Sequence, residues 1–407
     1  MRLSKLLPAL ACCFSMTVHA ADLDQAKIKE IVDGAIQPLL QQDNIPGMAV
    51  AVTRNGENYF YNYGVTSKQT QQPVTAATLF EIGSISKTFT ATLASYAQLD
   101  GKLDLSDSAS KHLPSLRGSS FDQVSLLNLG THTAGGLPLQ VPDEISDQAQ
   151  LMDYFKQWRP SFPAGARRVY SNPSIGMLGM ITAKSMNASF DDAIEKTLFP
   201  ALGLTHSHIN VPAQQMANYA QGYTKKDEPI RMQAGMLASE AYGVKSNTTD
   251  MIRFVQANMQ ANVPANMPPP KLDEKWQSAI TATHTGYFKA GELTQDLIWE
   301  QYAYPVTLQR LLLGNADGMA FRATAASRLT PPMPPRNDVL INKTGSTNGF
   351  AGYVAFIPSK NIGIVMLANK NYPIEARVRA AYRILTALDQ ASSLPSASNP
   401  KGKLLTK

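Results

Sequence analysis

The sequence predicts an α/β protein: an antiparallel sheet built from both chain ends and covered by helices, with an inserted, mostly helical domain. Three observations predict it. Strand patterns lie near both termini, helical patterns fill the middle, and an amphipathic helix stands at each end. Strands that far apart in sequence must pair with each other or leave long exposed edges.

Ala26 to Leu40 has Ile28, Ile31, Ala35 and Leu39 at helical spacing. Gly47 to Arg54 and Glu57 to Val65 form a hairpin around Asn55-Gly56, a dipeptide suited to a type I′ turn in which both central residues need positive φ. Asp338 to Thr344, Gly352 to Ile357 and Ile362 to Ala368 are three further strands, the last two joined by Pro358-Ser-Lys-Asn361. Glu375 to Asp389 closes the fold as a helix with Val378, Ala381, Leu385 and Leu388 on one face. The prolines at 264, 268, 269 and 270 place a surface loop between Ala261 and Leu272. The expected organisation is a leader over 1–20, α/β segments over 21–80 and 170–390, a helical domain over 81–169, and a disordered tail over 391–407.

The leader reading rests on Arg2 and Lys5, the apolar stretch Leu6 to Met16, and the small-x-small signal Val18-His19-Ala20, which predict export to the periplasm and cleavage after Ala20. Acylation of Cys12 or Cys13 is the rival reading; the apolar stretch before Cys12 is too short for it. Both cysteines lie in this leader, so the exported chain has no disulfide and must rely on a large packed core. No later apolar run reaches the roughly 18 residues that a span requires, so no membrane partner is expected after cleavage. The net charge of +6 is mild and its lysines are scattered, which gives nucleic-acid binding no support.

Three short motifs carry the chemistry: Ser84-Ile-Ser-Lys87, Tyr170-Ser-Asn172 and Lys343-Thr-Gly345. The first is weak alone, because Ser108-Ala-Ser-Lys111 and Ser398-Asn-Pro-Lys401 share its spacing. Ser84 follows Gly83 and opens a helix whose apolar face is Ile85, Phe89, Leu93 and Tyr96, with Gly101 placed to end it. Lys87 projects one turn on, on the same face. A serine hydroxyl needs a neighbour to take its proton, and an amine at that spacing can do so. The plain alternative is a helix-capping serine beside a solvated lysine.

Tyr170 has a phenol whose ordinary pKa near 10 is too high for a base at neutral pH, unless two lysines stand close enough to favour the phenolate. Otherwise it is a buried tyrosine with a satisfied hydroxyl. Asn172 offers a donor and an acceptor to an amide, or simply starts a turn before Pro173. Strand alternation puts Lys343 on the opposite face from Thr344, and Gly345 lets a substrate backbone approach closely. Ser346 can lend its backbone N–H as an oxyanion donor beside that of Ser84. His206-Ser-His208 is the one alternating histidine pair; without a following Asp or any cysteine it does not make a zinc site, and neither metal nor cofactor is expected.

With these motifs in context, the chain resembles a class C serine β-lactamase, of the fold that such enzymes share with penicillin-binding proteins. The resemblance rests on six blocks: Phe80 to Phe89, Thr133 to Gln140, Glu240 to Ser246, Lys343 to Phe350, Tyr353 to Pro358 and Gly363 to Pro373. It implies a monomeric cephalosporinase that hydrolyses the β-lactam amide through an acyl-serine and confers β-lactam resistance. Ser84 would be acylated. Tyr170 and Lys87 would share the proton, Tyr170 activating the deacylating water, and Lys343 would keep their surroundings positive. Gln140 and Asn172 would hold the substrate's side-chain amide, Thr344, Gly345, Ser346 and Asn348 would line its edge, and Arg377 would lie near its carboxylate. Three positions depart from the common pattern: His132 where a tyrosine is usual, Asn348 for a frequent glycine, and Ile374 for an asparagine thought to bind the carboxylate. Class A enzymes match less well, having Ser-Asp-Asn where this chain has Tyr170-Ser-Asn172. Two other readings share the scaffold: a D-alanine-type peptidase or esterase, and a binder that is acylated but barely turns over.

Overall fold

The computed structural model describes residues 16–259 and 272–393. Ten strands form one antiparallel sheet: β1 (Gly47–Arg54), β2 (Glu57–Gly64), β3 (Arg167–Arg168), β4 (Gly286–Ala290), β5 (Leu293–Gln295), β6 (Glu300–Ala303), β7 (Thr324–Met333), β8 (Val339–Ser346), β9 (Ala351–Ile357) and β10 (Ile362–Ala368). Their order is β2-β1-β10-β9-β8-β6-β5-β4-β7-β3, so strands from the two chain ends do lie side by side at β1 and β10. The β1–β2 hairpin turns at Asn55 and Gly56, with φ of 52° and 87°, as its dipeptide demands.

All residues of β1, β9 and β10 are buried because both sheet faces are covered. Even positions of β10 (Ile362, Ile364, Met366) meet the terminal helices α1 (Met16–Gln42) and α9 (Ile374–Ser393) through Val32, Ile36, Ile384 and Leu388. Odd positions (Val365, Leu367) meet a second core containing Phe89 of α2 (Ser86–Leu99) and Phe254 and Val255 of α6 (Thr248–Met259). A third core belongs to the helical lobe, where Leu126 and Leu129 of α3 (Leu126–Gly130) pack with Ile175, Leu178 and Ile181 of α4 (Asn172–Ser185).

Helix α2 threads between two cores. Phe89 and Leu93 face the sheet, while Ala91, Ala94 and Ala97 face the helical lobe. Its threonines are buried as well, their hydroxyls donating to carbonyls: Thr88 to Ile85, Thr92 to Thr88, and Thr90 to Glu240. A helix so enclosed holds rigidly the turn directly ahead of it, and that turn carries Ser84.

Several expectations need correction. The first helix begins at Met16 rather than Ala26, and the last runs to Ser393, so residues 391–393 are helical rather than part of a disordered tail. The split at 169/170 does not separate packed units, since α4 belongs to the helical core while β3 pairs with β7. Residues 1–15, 260–271 and 394–407 lie outside the described residues, and with them most of the expected leader, of the expected loop between Ala261 and Leu272 and of the expected tail. Among the described residues no helix is long and apolar enough to cross a membrane.

Candidate active site

Ser84 lies in a single 3₁₀ turn, Gly83–Ile85, directly ahead of α2. Gly83 has φ +53°, and a Cβ there would stand 2.5 Å from Ser346 N. A Cβ on Gly345 would stand 2.0 Å from Ile82 O. The Ser84 turn and the end of β8 are therefore in backbone contact, and only glycine fits on either side. That contact is what brings residues 84 and 343–346, far apart in the chain, into one cleft.

The cleft encloses about 220 Å³ and is lined by Ser84, Gln140, Tyr170, Asn172, Lys343, Thr344, Gly345 and Ser346, with Arg168, Glu300 and Ile374. Lys87 is fully buried and donates from Nζ to Ser84 Oγ at 2.9 Å and to Ala241 O at 2.8 Å. The Tyr170 phenol stands beside the Ser84 hydroxyl and the Lys87 ammonium, both of which favour its phenolate. Lys87 Nζ lies 5.1 Å and Lys343 Nζ 5.2 Å from its ring centre. Lys343 is itself buried, donating to Thr344 O at 3.1 Å.

Those contacts set the proton affinities. Burial lowers Lys87 to about 8, with Lys343 adding to the effect and the nearby phenol opposing it. Burial alone would push Tyr170 up; Lys343 and Lys87, together with the hydrogen bonds from Ser84 and Lys87, outweigh it and bring the phenol down to about 8. An ammonium and a phenol of matched affinity, both touching one serine hydroxyl, can pass a proton between them at little cost.

Asn172 is the first residue of α4, capped by Ser171, whose Oγ accepts from Ser174 N at 3.1 Å. Its own N–H bonds Leu139 O at 3.0 Å, which carries Gln140 to the same rim. Asn172 Oδ1 is buried with no partner, an acceptor left for a ligand donor.

Two expected residues are elsewhere. Asn348 is exposed in the turn after β8 and does not line the cleft. Arg377 is fully buried and faces a larger adjoining chamber of about 860 Å³. Its Nη1 donates to Gly345 O and to Ser346 Oγ, each at 2.8 Å, and its Nη2 to Tyr372 O and Asn371 Oδ1. Burial lowers it to about 10, and its work is to brace the end of β8. The two chambers meet at Ser346, Asn315, Ala316, Phe321 and Ile374.

Of the rival serine motifs, Ser108 precedes a short helix, and Lys111 Nζ is engaged by Asp107 Oδ1 at 2.5 Å. His206 and His208 join no group able to hold a metal, and no such group of three occurs among the described residues.

Sequence reasoning missed Arg168, Glu300 and Glu81. Arg168 was visible as one of two arginines before Tyr170. Glu300 has no local signal, since only the register Glu300↔Asn342 brings it beside Lys343. Glu81 is buried and accepts from Tyr219 Oη at 2.6 Å, Met232 N at 2.8 Å and the Thr347 hydroxyl, tying the 219–232 segment to the chain after β8. His132, noted as a departure, packs its ring 4.4 Å from that of Tyr170.

A serine–lysine–tyrosine–lysine cluster, its two lysines buried, at the junction of an antiparallel sheet and a helical lobe defines a serine acyl-transfer enzyme. Comparison with known proteins makes that narrower. The β-lactamase family model matches residues 32–389. A β-lactamase of Pseudomonas fluorescens is 51% identical over 363 residues, covering 89% of this chain and 99% of that protein. The structure of a class C β-lactamase in complex with cefoxitin superposes with TM-score 0.86 at 58% identity, covering 89% of this chain and 99% of that one. A D-alanine carboxypeptidase from Burkholderia cenocepacia superposes with TM-score 0.83 at 54% identity, again over 89% and 99%. The chain belongs to the β-lactamase family, and it is a serine β-lactamase of the class C type.

Proposed function

We propose that this enzyme opens β-lactams, cephalosporins by preference, through an acyl-Ser84 intermediate. The observation that carries the reading is the Lys87–Ser84–Tyr170 contact, in which two groups both held at about 8 flank one hydroxyl. Tyr170 as phenolate, with its proton on Lys87, accepts the Ser84 proton as Oγ attacks the lactam carbonyl carbon. The backbone N–H groups of Ser84 and Ser346 receive the developing oxyanion. The tetrahedral species then collapses with cleavage of the carbonyl C–N bond, and the ring nitrogen takes the proton from the Tyr170–Lys87 pair. Water enters next; Tyr170 takes its proton, hydroxide attacks the ester carbonyl, and Ser84 leaves with that proton restored.

Lys343 favours the phenolate and, with Thr344, Gly345 and Ser346, receives the substrate's anionic edge. Gln140 and the unpartnered Asn172 Oδ1 suit the side-chain amide. Arg377 supports this indirectly by bracing Gly345 and Ser346. The enzyme acts as a periplasmic monomer that confers β-lactam resistance. That cefoxitin occupies a neighbour 58% identical supports the substrate class.

The test is purified protein with a chromogenic cephalosporin, a penicillin and a D-alanyl-D-alanine peptide, with intact-mass spectra during turnover. Many turnovers with the cephalosporin fastest, and an adduct lost in Ser84→Ala, are expected. A single stoichiometric burst, or turnover confined to the peptide, would overturn the reading. Fractionation and light scattering check the compartment and the monomer.

A further inference from the structure

Arg168 and Glu300 are a buried ion pair beside the phenol that the chemistry above does not use. Their side chains are 1% and 7% exposed, and Arg168 Nη2 meets Glu300 Oε1 at 2.7 Å. Arg168 also donates from Nε to Gln295 Oε1 and from Nη1 to Met319 O, both at 2.6 Å. One guanidinium thus ties the strand leading into Tyr170 to β5, to β6 and to α8 (Asp317–Phe321), which forms part of the cleft rim. Its Cζ also lies 5.7 Å from the ring centre of Tyr170, little farther than the two lysines.

We propose that Arg168 and Glu300 are a positioning and charge-balancing pair for Tyr170: Arg168 fixes the segment that bears the phenol, and Glu300 cancels the third cation at its ring, so that the net field on the phenol is that of Lys87 and Lys343.

The surroundings leave Glu300 as the counter-charge. Tyr170 is faced by Lys87 from α2, Lys343 from β8, the Ser84 hydroxyl, Arg168 from β3 and His132 from the loop after α3. His132 adds no charge. Its Nδ1 accepts from Ser171 N at 3.3 Å, which places its proton on Nε2, and burial, then Arg168, Lys87 and Lys343, hold it well below 6.5. On the far side of the pair stand Tyr302, Tyr353 and Asp296. Burial drives all three up, toward their uncharged forms, and Asp296 also accepts from Gln301 Nε2 at 2.6 Å. Without Glu300, the Arg168 charge would add to those of Lys87 and Lys343 and make Tyr170 a weaker base.

This inference rests on Tyr170 serving as the base, and two readouts separate the failures. The first is the phenolate absorbance of the full-length protein against pH, as the difference from the matching Tyr170→Phe protein. The second is the acid limb of kcat/KM for a chromogenic cephalosporin. Glu300→Gln keeps the shape and the acceptor while removing the charge; both readouts should move to lower pH by about 1 unit. Arg168→Gln should move them the opposite way, and the double variant should return them to the wild-type position. If Glu300→Gln does not fold, Gln295→Glu adds a negative charge against Arg168 and should shift both readouts upward. A rate that drops in the charge variants at every pH, with neither readout displaced, would overturn the proposal in favour of simple bracing. A displaced absorbance with an unmoved kinetic limb would keep the charge balance and remove Tyr170 as the base.

Discussion

Gly83→Ala tests the backbone contact on which the site depends. At φ +53° an alanine is strained by roughly 1–2 kcal/mol. The added Cβ would also stand 2.5 Å from Ser346 N and 2.6 Å from both Ser346 C and O, all of them backbone atoms. Non-bonded carbon needs about 3.5 Å, so the Ser84 turn and the end of β8 must separate by about 1 Å. That separation pulls apart the N–H groups of Ser84 and Ser346, and loss of one oxyanion donor costs about 10²–10³ in kcat. Gly101→Ala is the control: φ is +68° there as well, but nothing lies within 4 Å of the new Cβ. Both variants should melt earlier, Gly83→Ala by more because of its clash, and only Gly83→Ala should lose turnover. The assay is steady-state kcat on a chromogenic cephalosporin alongside thermal melts. A Gly83→Ala enzyme within a few-fold of wild-type kcat, or a Gly101→Ala enzyme equally impaired, would refute the reasoning.

Three further outcomes are expected. Ser84→Ala should fold with an unchanged melt yet form no covalent adduct by intact mass, while Ser108→Ala labels normally; an adduct on the Ser84 variant would move the nucleophile elsewhere. Tyr170→Phe should slow turnover by about 10²-fold or more, the scale of general base catalysis, and should abolish the rise of kcat/KM as pH climbs toward 8; near-normal rates would take the phenol out of the mechanism. His284 is buried against Asn258 Oδ1 at 2.9 Å, and burial holds it down at about 3. Between 6.5 and 3 the unfolded chain binds a proton that the native state refuses. Stability should therefore be whole above 6.5 and fall as the pH drops toward 3, by up to about 5 kcal/mol. Denaturant titrations should show a shallower fall for His284→Gln, and equal slopes would discount this histidine.

The parts of the fold legible in the sequence were those whose burial is uniform or whose turn chemistry is specific. Val50 to Val52 and Ile362 to Leu367 read as strands because both of their faces are covered. Strands β3 to β7 escaped notice for the opposite reason. Strand β7 is mostly exposed and contains Pro331 and Pro332, and β5 spans only Leu293–Gln295. No local pattern separates such strands from loop, and tertiary pairing decides them. Helix α2 was legible as a helix but not as an enclosed one, because Thr88, Thr90 and Thr92 look polar until their hydroxyls find carbonyls inside.

The site divides along the same line. Ser84, Lys87, Tyr170 and Lys343 were legible because each belongs to a short motif whose residue types suit acyl transfer, and the structure gathers all four within reach of one hydroxyl or one ring. Arg377 looked like a ligand cation because its charge is visible in sequence while its four acceptors are not. Glu300 was invisible because its role comes only from strand register and from Arg168, 132 positions away. Chemistry that acts on a substrate leaves motifs; chemistry that tunes those motifs is distributed over strand pairings. The groups that set the affinity of Tyr170 should therefore be sought on the strands beside it, not in the strings around it.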